Sequence, residues 1–259
     1  MNIEPVDRAV EMSRVLSGNP LKFGDHFFAH SFRRPDVGEQ MNPLLMVDHF
    51  WMKRDTFGWH PHRGFSAVTY VFENSKSPHH NSDSMGNEVP ITPGSLHWMV
   101  AGSGAMHRER PEGDDALVHG LQIFIDLPEQ RKSTTPYAMH LDSQDVPEVT
   151  HEGSRIRVLA GEFEDKISPI QLPQKFTIID GHLSGGGAIS VPLRANWGTW
   201  IYAVRGVVLA MMGKESRSIN QYQAVAFHTP TDGDTVSIRS DDSAQVVVLS
   251  GEVVPGPAM

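Results

Sequence analysis

Short runs of β-branched and aromatic residues, each bounded by turn-forming residues, recur along the whole chain. Runs of this kind are typical of β-strands. The 23 glycines and 18 prolines among 259 residues are a density expected of many short elements joined by turns. The clearest runs are Ala67–Phe72, Leu117–Leu127, Arg155–Leu159, Trp200–Val204 and Gln245–Leu249. The pattern predicts an all-β protein.

Helical periodicity is confined to the N-terminal third of the chain. Pro5–Leu16 carries it and is predicted to be a helix, whereas the shorter Glu39–Leu45 is interrupted by Pro43. The segment Leu127–Val149 has three prolines and no sustained period, which predicts an ordered connection between two domains. We therefore expect two tandem antiparallel β-barrels, with the N-terminal one in residues 1–135 and the C-terminal one in residues 136–259.

Charge and composition exclude several classes of function. The 22 Lys and Arg residues are outnumbered by 31 Asp and Glu residues, and the resulting charge of −9 argues against direct nucleic-acid binding. The chain has no cysteine, which excludes disulfides, thiolate metal ligands and thiol nucleophiles. The longest strongly apolar run, Val207–Met212, is too short to span a bilayer. Because the first residues also lack a secretory signal pattern, we expect a cytoplasmic protein that does not associate with membranes.

Two pairs of ligand-type residues carry the chemistry. His60 and His62 are two positions apart, and so are His107 and Glu109. In an extended segment, residues two apart project from the same face, so each pair can reach one ion. Pro61 places the first pair at a strand start, edge or bulge.

Each pair alone is a weak signal, because an isolated HxH motif is more often a surface feature than a metal site. Together they are stronger, since His62 and His107 are 45 positions apart and the segment between them contains strand patterns and a Pro93-Gly94 turn. A barrel can bring two such strands side by side. Three imidazoles and one carboxylate without sulfur suit Fe, Mn, Co, Ni, Cu or Zn. The C-terminal half has neither motif and cannot repeat the site.

The sequence resembles the pirin family, whose members are two-domain proteins of the cupin superfamily. The matching segments are NPLLMVDHF (42–50), HPHRGF (60–65), PGSLHWMVAGSGAMHRE (93–109), HGLQIFIDLP (119–128) and, more weakly, RVLAGEF (157–163). The resemblance implies a bicupin of the double-stranded β-helix, or jelly-roll, type. It also implies an N-terminal barrel that holds a metal, commonly iron, through His60, His62, His107 and Glu109, and a C-terminal barrel without metal.

The resemblance leaves two functions open. Some pirin-like proteins resemble quercetin 2,3-dioxygenases, which open the flavonol ring with dioxygen and release carbon monoxide. Glu109 would then take the proton of the 3-hydroxyl group, and Arg63 and Gln122 would line the substrate pocket. Other pirin-like proteins are redox-sensitive regulators that bind transcription factors or metabolic enzymes. We expect one divalent transition metal per chain, iron first, a monomer, and either a small flavonol-like substrate with O2 or a protein partner.

The sequence departs from the family at three places. Ser66 stands where family members usually have glutamate, and Ser95 stands where aspartate is common. The chain also stops soon after Leu249-Ser250-Gly251, so the tail that often follows in the family is shorter here.

Several other polar residues are predicted to have structural roles. His79 and His80 lie in a polar stretch and are interpreted as solvated loop residues, whereas His97 and His119 are interpreted as hydrogen-bonded histidines within the barrels. Asp48-His49 could mimic a catalytic dyad, but no GxSxG nucleophile motif accompanies it, which argues against a hydrolase.

Overall fold

The computed structural model describes residues 10–230 and 234–256, which form 25 strands and four short helical turns. The first thirteen strands are β1 (Glu11–Met12), β2 (Leu16–Ser17), β3 (Asn19–Phe23), β4 (Phe27–Arg33), β5 (Leu44–Met52), β6 (His60–His62), β7 (Phe65–Val71), β8 (His79–Asp83), β9 (Glu88–Ile91), β10 (Leu96–Val100), β11 (Ala105–Pro111), β12 (Val118–Asp126) and β13 (Tyr137–Leu141). The others are β14 (Glu148–His151), β15 (Ser154–Ala160), β16 (Glu162–Phe163), β17 (Lys166–Ile167), β18 (Phe176–Leu183), β19 (Ala188–Leu193), β20 (Trp197–Arg205), β21 (Val207–Met212), β22 (Glu215–Asn220), β23 (Gln223–Thr229), β24 (Asp234–Arg239) and β25 (Ala244–Glu252). The helical turns are α1 (Arg34–Val37) and the 3-10 turns Glu39–Met41, Glu129–Arg131 and Ser143–Asp145.

All strands except β16 and β17, which pair with each other, build two barrels, each from one large and one small antiparallel sheet. The N-terminal barrel combines a seven-stranded sheet, in the order β13-β10-β7-β12-β5-β4-β3, with a four-stranded sheet, β6-β11-β8-β9. The C-terminal barrel combines an eight-stranded sheet, β1-β23-β20-β25-β18-β15-β14 with β2 also on β23, and the four-stranded sheet β19-β24-β21-β22. The all-β bicupin prediction is confirmed.

The largest apolar core lies between the two large sheets. Val68 and Tyr70 of β7 pack in it with Trp200 and Tyr202 of β20. Because side chains alternate along a strand, the intervening Thr69 points into the N-terminal barrel instead. The large sheet therefore has one face for the interface between the barrels and one for the barrel interior.

A buried polar network crosses this interface. The hydroxyl of Tyr70 donates to Asp180 Oδ2 at 2.6 Å and accepts a hydrogen bond from Arg157 Nη1 at 3.1 Å. Arg157 also donates to the carbonyl oxygen of Gly94, and Gln245 donates to Asp180. These hydrogen bonds join residues of the two barrels.

The N-terminal helix prediction is wrong within the described residues. Of Pro5–Leu16, residues 5–9 lie outside that part of the chain, and the remainder contains β1 and the start of β2, which pair with β23 of the C-terminal barrel. Val10 and Met12 are buried in that barrel's core. The apolar residues of this segment are buried by a short strand that pairs with a strand distant in sequence, and they do not form one face of a helix. Near Glu39–Leu45, a 3-10 turn covers only Glu39–Met41, and β5 begins at Leu44.

The connection between the barrels is ordered and takes part in both large sheets. β13 pairs with β10, and β14 pairs with β15. Ser95, one of the departures from the family pattern, accepts a hydrogen bond from the backbone N–H of Ser143 at 3.0 Å. A domain boundary after residue 135 remains a prediction. β13 follows this position but pairs in the N-terminal barrel, whereas β1 and β2 precede it but pair in the C-terminal barrel. In the described part of the chain, no helix is long and apolar enough to cross a membrane.

Candidate metal centre

Three of the four predicted ligands converge in the N-terminal barrel. β6 carries His60 and His62, and its neighbour β11 carries His107 directly opposite His60. A tight turn before β11 sets this register: Gly102 has φ +48°, and a Cβ atom there would lie 2.1 Å from the carbonyl oxygen of Thr134. Only glycine fits this position. Two adjacent strands thus bring imidazoles that are far apart in sequence to one point.

Hydrogen bonds fix the orientation of two of the imidazoles. His60 Nδ1 lies 2.9 Å from the carbonyl oxygen of Gly58, and His107 Nδ1 lies 3.1 Å from Asn81 Oδ1. Both partners are acceptors, so each Nδ1 carries the hydrogen and each Nε2 presents a lone pair. His107 Nε2 lies 2.8 Å from His62 Nε2 and 3.0 Å from His60 Nε2. Orienting partners of this kind are typical of metal-binding histidines.

This arrangement fits a transition metal. The lone pairs of His60 and His107 repel each other at this distance unless a cation lies between them. Ligand nitrogens about 2.1 Å from one ion, at a right angle, lie about 3.0 Å apart. Burial, assisted by the neighbouring imidazoles, lowers the pKa of His62 and His107 to about 3, so both rings are neutral near pH 7. Neutral imidazoles are the form that binds metal.

Glu109 lies in the same cavity but takes a different position. Among the described residues, the ligand atoms within 4.8 Å of one another belong to His60, His62 and His107. Glu109 is buried, and its Oε1 accepts a hydrogen bond from the Thr69 hydroxyl at 2.5 Å. As a fourth ligand, Glu109 therefore remains a prediction.

The histidines open onto an apolar cavity of about 470 Å³. Its walls are mainly phenylalanine, methionine and leucine side chains: Leu21, Phe23, Phe27, Met46, Phe50, Met52, Phe57 and Phe124. Besides the candidate ligands, the polar lining consists of Arg33, Asp48, His79 and Gln122. The cavity has the form of a small-molecule site, with few polar groups in an aromatic lining.

The two predicted pocket residues have different locations. Gln122 lines the cavity and lies 2.9 Å from the Thr69 hydroxyl. Arg63 is exposed and is not among the residues that line the cavity, and its place in a substrate pocket remains a prediction.

The interpretation of His79 and His80 as solvated loop residues is wrong. Both belong to β8, and His79 is buried against the cavity. His80 is half-buried and pairs with Glu88 and Glu112 at 2.7 and 2.8 Å. HHNSD is polar at every position, so its sequence carries no apolar–polar alternation that could have revealed this strand.

His97 also differs from its prediction. Its ring is only 2% exposed, and neither ring nitrogen has a hydrogen-bond partner in the described part of the chain. Burial lowers its pKa to about 4, and neighbouring His140 adds to this effect. The expected hydrogen bond is not made.

His119 belongs to a second histidine pair at the interface between the barrels. Its Nε2 lies 2.6 Å from His49 Nε2, and its Nδ1 lies 2.8 Å from Asn74 Oδ1. His49 Nδ1 lies 2.6 Å from the Tyr202 hydroxyl. One set of tautomers satisfies every member: Tyr202 donates to His49, His49 to His119, and His119 to Asn74. The prediction of a hydrogen-bonded histidine holds, but the ring is only partly buried.

His49 faces away from Asp48, so the two residues form no dyad.

Two antiparallel barrels in tandem, with a three-histidine cluster inside the first, define a bicupin with a candidate metal centre. The family model described as Pirin matches residues 10–125. Pirin-like protein 2 of Arabidopsis thaliana is 30% identical over 225 residues, which cover 85% of this chain and 68% of that protein. The chain belongs to the pirin family.

Two solved structures show the same fold. A quercetin 2,3-dioxygenase from Acinetobacter baumannii aligns with a TM-score of 0.83 and 23% identity, covering 96% of this chain and 89% of that one. A bacterial pirin from Escherichia coli, YhhW in complex with nickel(II), aligns with a TM-score of 0.73 and 20% identity, covering 95% and 100%.

Proposed function

We propose that this protein is a metal-dependent dioxygenase that cleaves flavonols, in the manner of a quercetin 2,3-dioxygenase. The observation that carries the proposal is the arrangement of three converging imidazoles at an aromatic-lined cavity that also contains a carboxylate, Glu109. The similarity in fold to a quercetin 2,3-dioxygenase supports the substrate class.

The proposed cofactor is one divalent transition metal per chain, iron first, held by His60, His62, His107 and Glu109. Nitrogen and oxygen donors without sulfur also suit nickel, the metal in the YhhW structure. Three histidines and one carboxylate leave open positions on an ion that accepts six ligands. When bound, the metal would supply the charge that favours the deprotonated hydroxyl and the redox chemistry with dioxygen.

The protein's own residues supply a base, orientation and a dry cavity. Glu109 would accept the proton of the flavonol 3-hydroxyl group, while Thr69 holds one of its carboxylate oxygens in place. The phenylalanines would hold the planar rings and exclude water. In the overall reaction both atoms of dioxygen enter the product, the ring bonds on both sides of the carbon that carries the 3-hydroxyl group break, and that carbon leaves as carbon monoxide.

The test is Glu109→Gln, which keeps an oxygen atom at this position but removes the base. We expect the iron-loaded variant to retain much of its metal, whereas flavonol turnover falls by about 10² or more, the usual share of general-base catalysis. Turnover is followed by the loss of the flavonol's long-wavelength absorbance. Glu112→Gln is the matched control, because Glu112 follows β11 and pairs with His80 outside the cavity. Full turnover in Glu109→Gln would show that the base is another group.

A specific surface feature favours the regulatory alternative. Phe23, Phe57, Trp59 and Met106 are between 39% and 49% exposed, and Phe23 and Phe57 belong to the cavity wall. Such a patch suits a protein partner that senses the metal site. If the iron-loaded wild-type protein turns over no flavonol in air, a metal-dependent regulator that binds a protein here becomes the better proposal.

A further inference from the structure

Four polar residues form a row across the large sheet of the C-terminal barrel. Arg155, His182, Gln245 and Arg205 lie directly opposite one another on the adjacent strands β15, β18, β25 and β20. Residues paired in this way project from the same face of a sheet. The register shifts between Ala203 and Arg205, and such a bulge re-aims the end of a strand, so Arg205 joins this face. The row therefore places two guanidinium groups and one imidazole on one face.

One end of the row holds a carboxylate of the N-terminal barrel. Glu73, two residues after β7, accepts hydrogen bonds from Arg155 Nη1 at 2.8 Å and from Arg155 Nη2 at 2.9 Å. His182 Nε2 lies 3.4 Å from the same carboxylate, and Arg155 also donates to Glu148. Two parallel N–H···O bonds are the geometry in which a guanidinium binds a carboxylate most firmly. The row thus faces the N-terminal barrel, and its charge at this end is neutralised.

The other end of the row has no such partner. Arg205 forms no ion pair with a carboxylate in the described part of the chain, where its side chain donates to Ser243 Oγ at 3.3 Å. Lys76 of the N-terminal barrel lines the same cavity as Arg205, and its partner Asp115 is 96% exposed. Water screens an ion pair that is so exposed. Two cations therefore share a cavity in a chain whose net charge is −9.

This cavity lies between the barrels and has a volume of about 320 Å³, within the range of small-molecule sites. No carboxylate lines it, since the fully buried Asp180 is hydrogen-bonded to Tyr70 and Gln245 behind the wall. Two rings in the wall, Trp51 and Tyr222, meet edge to face with 5.8 Å between their centroids. The amides and imidazoles of the lining belong to Asn74, Gln221, Gln245, His49 and His119.

The lining selects the charge and the shape of a ligand. Arg205 and Lys76 can only donate hydrogen bonds, so they require a group whose oxygens accept. A negative charge on that group strengthens both bonds, whereas a cation would be repelled. Trp51 and Tyr222 offer apolar ring surface to a flat body. An inorganic ion would leave most of the cavity unfilled.

We propose that this cavity binds a small aromatic anion whose carboxylate or phosphate group lies between Arg205 and Lys76. Such a ligand would contact both barrels, since Trp51 and Lys76 belong to the first and Arg205 and Tyr222 to the second. The cavity has no lining residue in common with the cavity of the candidate metal centre. The proposal therefore goes beyond the proposed function and does not depend on it.

The test is calorimetric titration of the full-length, zinc-loaded protein with 2-naphthoate, 2-naphthyl phosphate and the neutral 2-naphthamide. We expect the wild type to bind at least one of the anions about tenfold or more tightly than the amide, the range for a hydrogen bond to a charged group. In Arg205→Gln this preference should fall below about threefold, while affinity for the amide stays unchanged. Arg239→Gln removes the same charge from the same barrel outside this cavity, where Arg239 pairs with Asp241, and should keep the preference.

The anion that binds more tightly identifies the anionic group, and either one upholds the site. A preference that survives in Arg205→Gln overturns the proposal, as does a wild type that binds neither anion more tightly than the amide. Because a metal can itself bind anions, His62→Ala is titrated as well. A preference lost in His62→Ala but kept in Arg205→Gln places the anion at the metal centre and also overturns the proposal. If Arg205→Gln does not fold, Lys76→Gln tests the same anion through its other partner.

Discussion

Replacing His97 should make the protein less sensitive to acid. The His97 ring is buried without a hydrogen-bond partner among the described residues, and its pKa in the folded protein is about 4 instead of 6.5. Above pH 6.5 the ring is neutral in both the folded and the unfolded chain and has no effect on pH dependence. As the pH falls from 6.5 to about 4, only the unfolded chain takes up the proton, so stability is lost over this range.

The size of the effect follows from the linkage between protonation and folding. Each pH unit in this range lowers the free energy of unfolding by about 1.4 kcal/mol for one such group. Between pH 7.5 and 5, His97 alone should remove roughly 2 kcal/mol. For a chain of this length, that corresponds to about 4–8 °C in the melting temperature. His97→Leu removes the titrating group and leaves no buried polar atom behind, so at neutral pH its cost should be small.

The assay is thermal unfolding of wild type and His97→Leu at both pH values, followed by circular dichroism and tryptophan fluorescence. Coincident transitions are required for the two-state comparison. The difference between the two proteins isolates His97, because other buried histidines contribute equally to both. His228→Leu, on an exposed position of β23, is the control and should follow the wild type. An equal loss of stability in wild type and His97→Leu would refute the reasoning and show that the ring is protonated or hydrogen-bonded when folded.

Two further substitutions test the interface and the metal centre. Tyr70→Phe removes the hydroxyl between Asp180 and Arg157 and should lower the free energy of unfolding by about 2–3 kcal/mol, whereas the exposed Tyr137→Phe should have little effect. Urea unfolding measures this, and a change below about 0.5 kcal/mol would contradict a structural role for the network. His62→Ala should lower metal affinity by more than about 100-fold, since partners that only orient ligands contribute 10–100-fold, and should leave the circular dichroism spectrum unchanged. Metal content measured by elemental analysis checks this against His80→Ala; equal content in the two variants would exclude His62 as a ligand.

The sequence allowed the histidine cluster to be predicted because its geometry is local. Residues two apart on a strand share a face, and only the pairing of β6 with β11 had to be assumed. Asp48 and Thr69 were missed. The local sequence of each strand does not show its role, and only the fold shows that Asp48 lines the cavity and that Thr69 contacts Glu109.

The N-terminal segment shows a limit of a different kind. Val10, Met12 and Leu16 are compatible with a helix or with short strands, and local sequence does not distinguish them. The decision is made by β23, more than 200 residues away, with Ser13 and Ala226 hydrogen-bonded to each other across 213 positions. Strand pairing between residues so far apart in sequence cannot be predicted from local sequence patterns.

That pairing also sets the order of events during synthesis. At 5–20 residues per second, a ribosome needs roughly 10–40 s to reach β23 after it has made β1 and β2. Throughout this time the apolar side chains of β1 and β2 lack their partner strand. β1 and β2 can therefore dock only after nearly all of the second barrel has been translated.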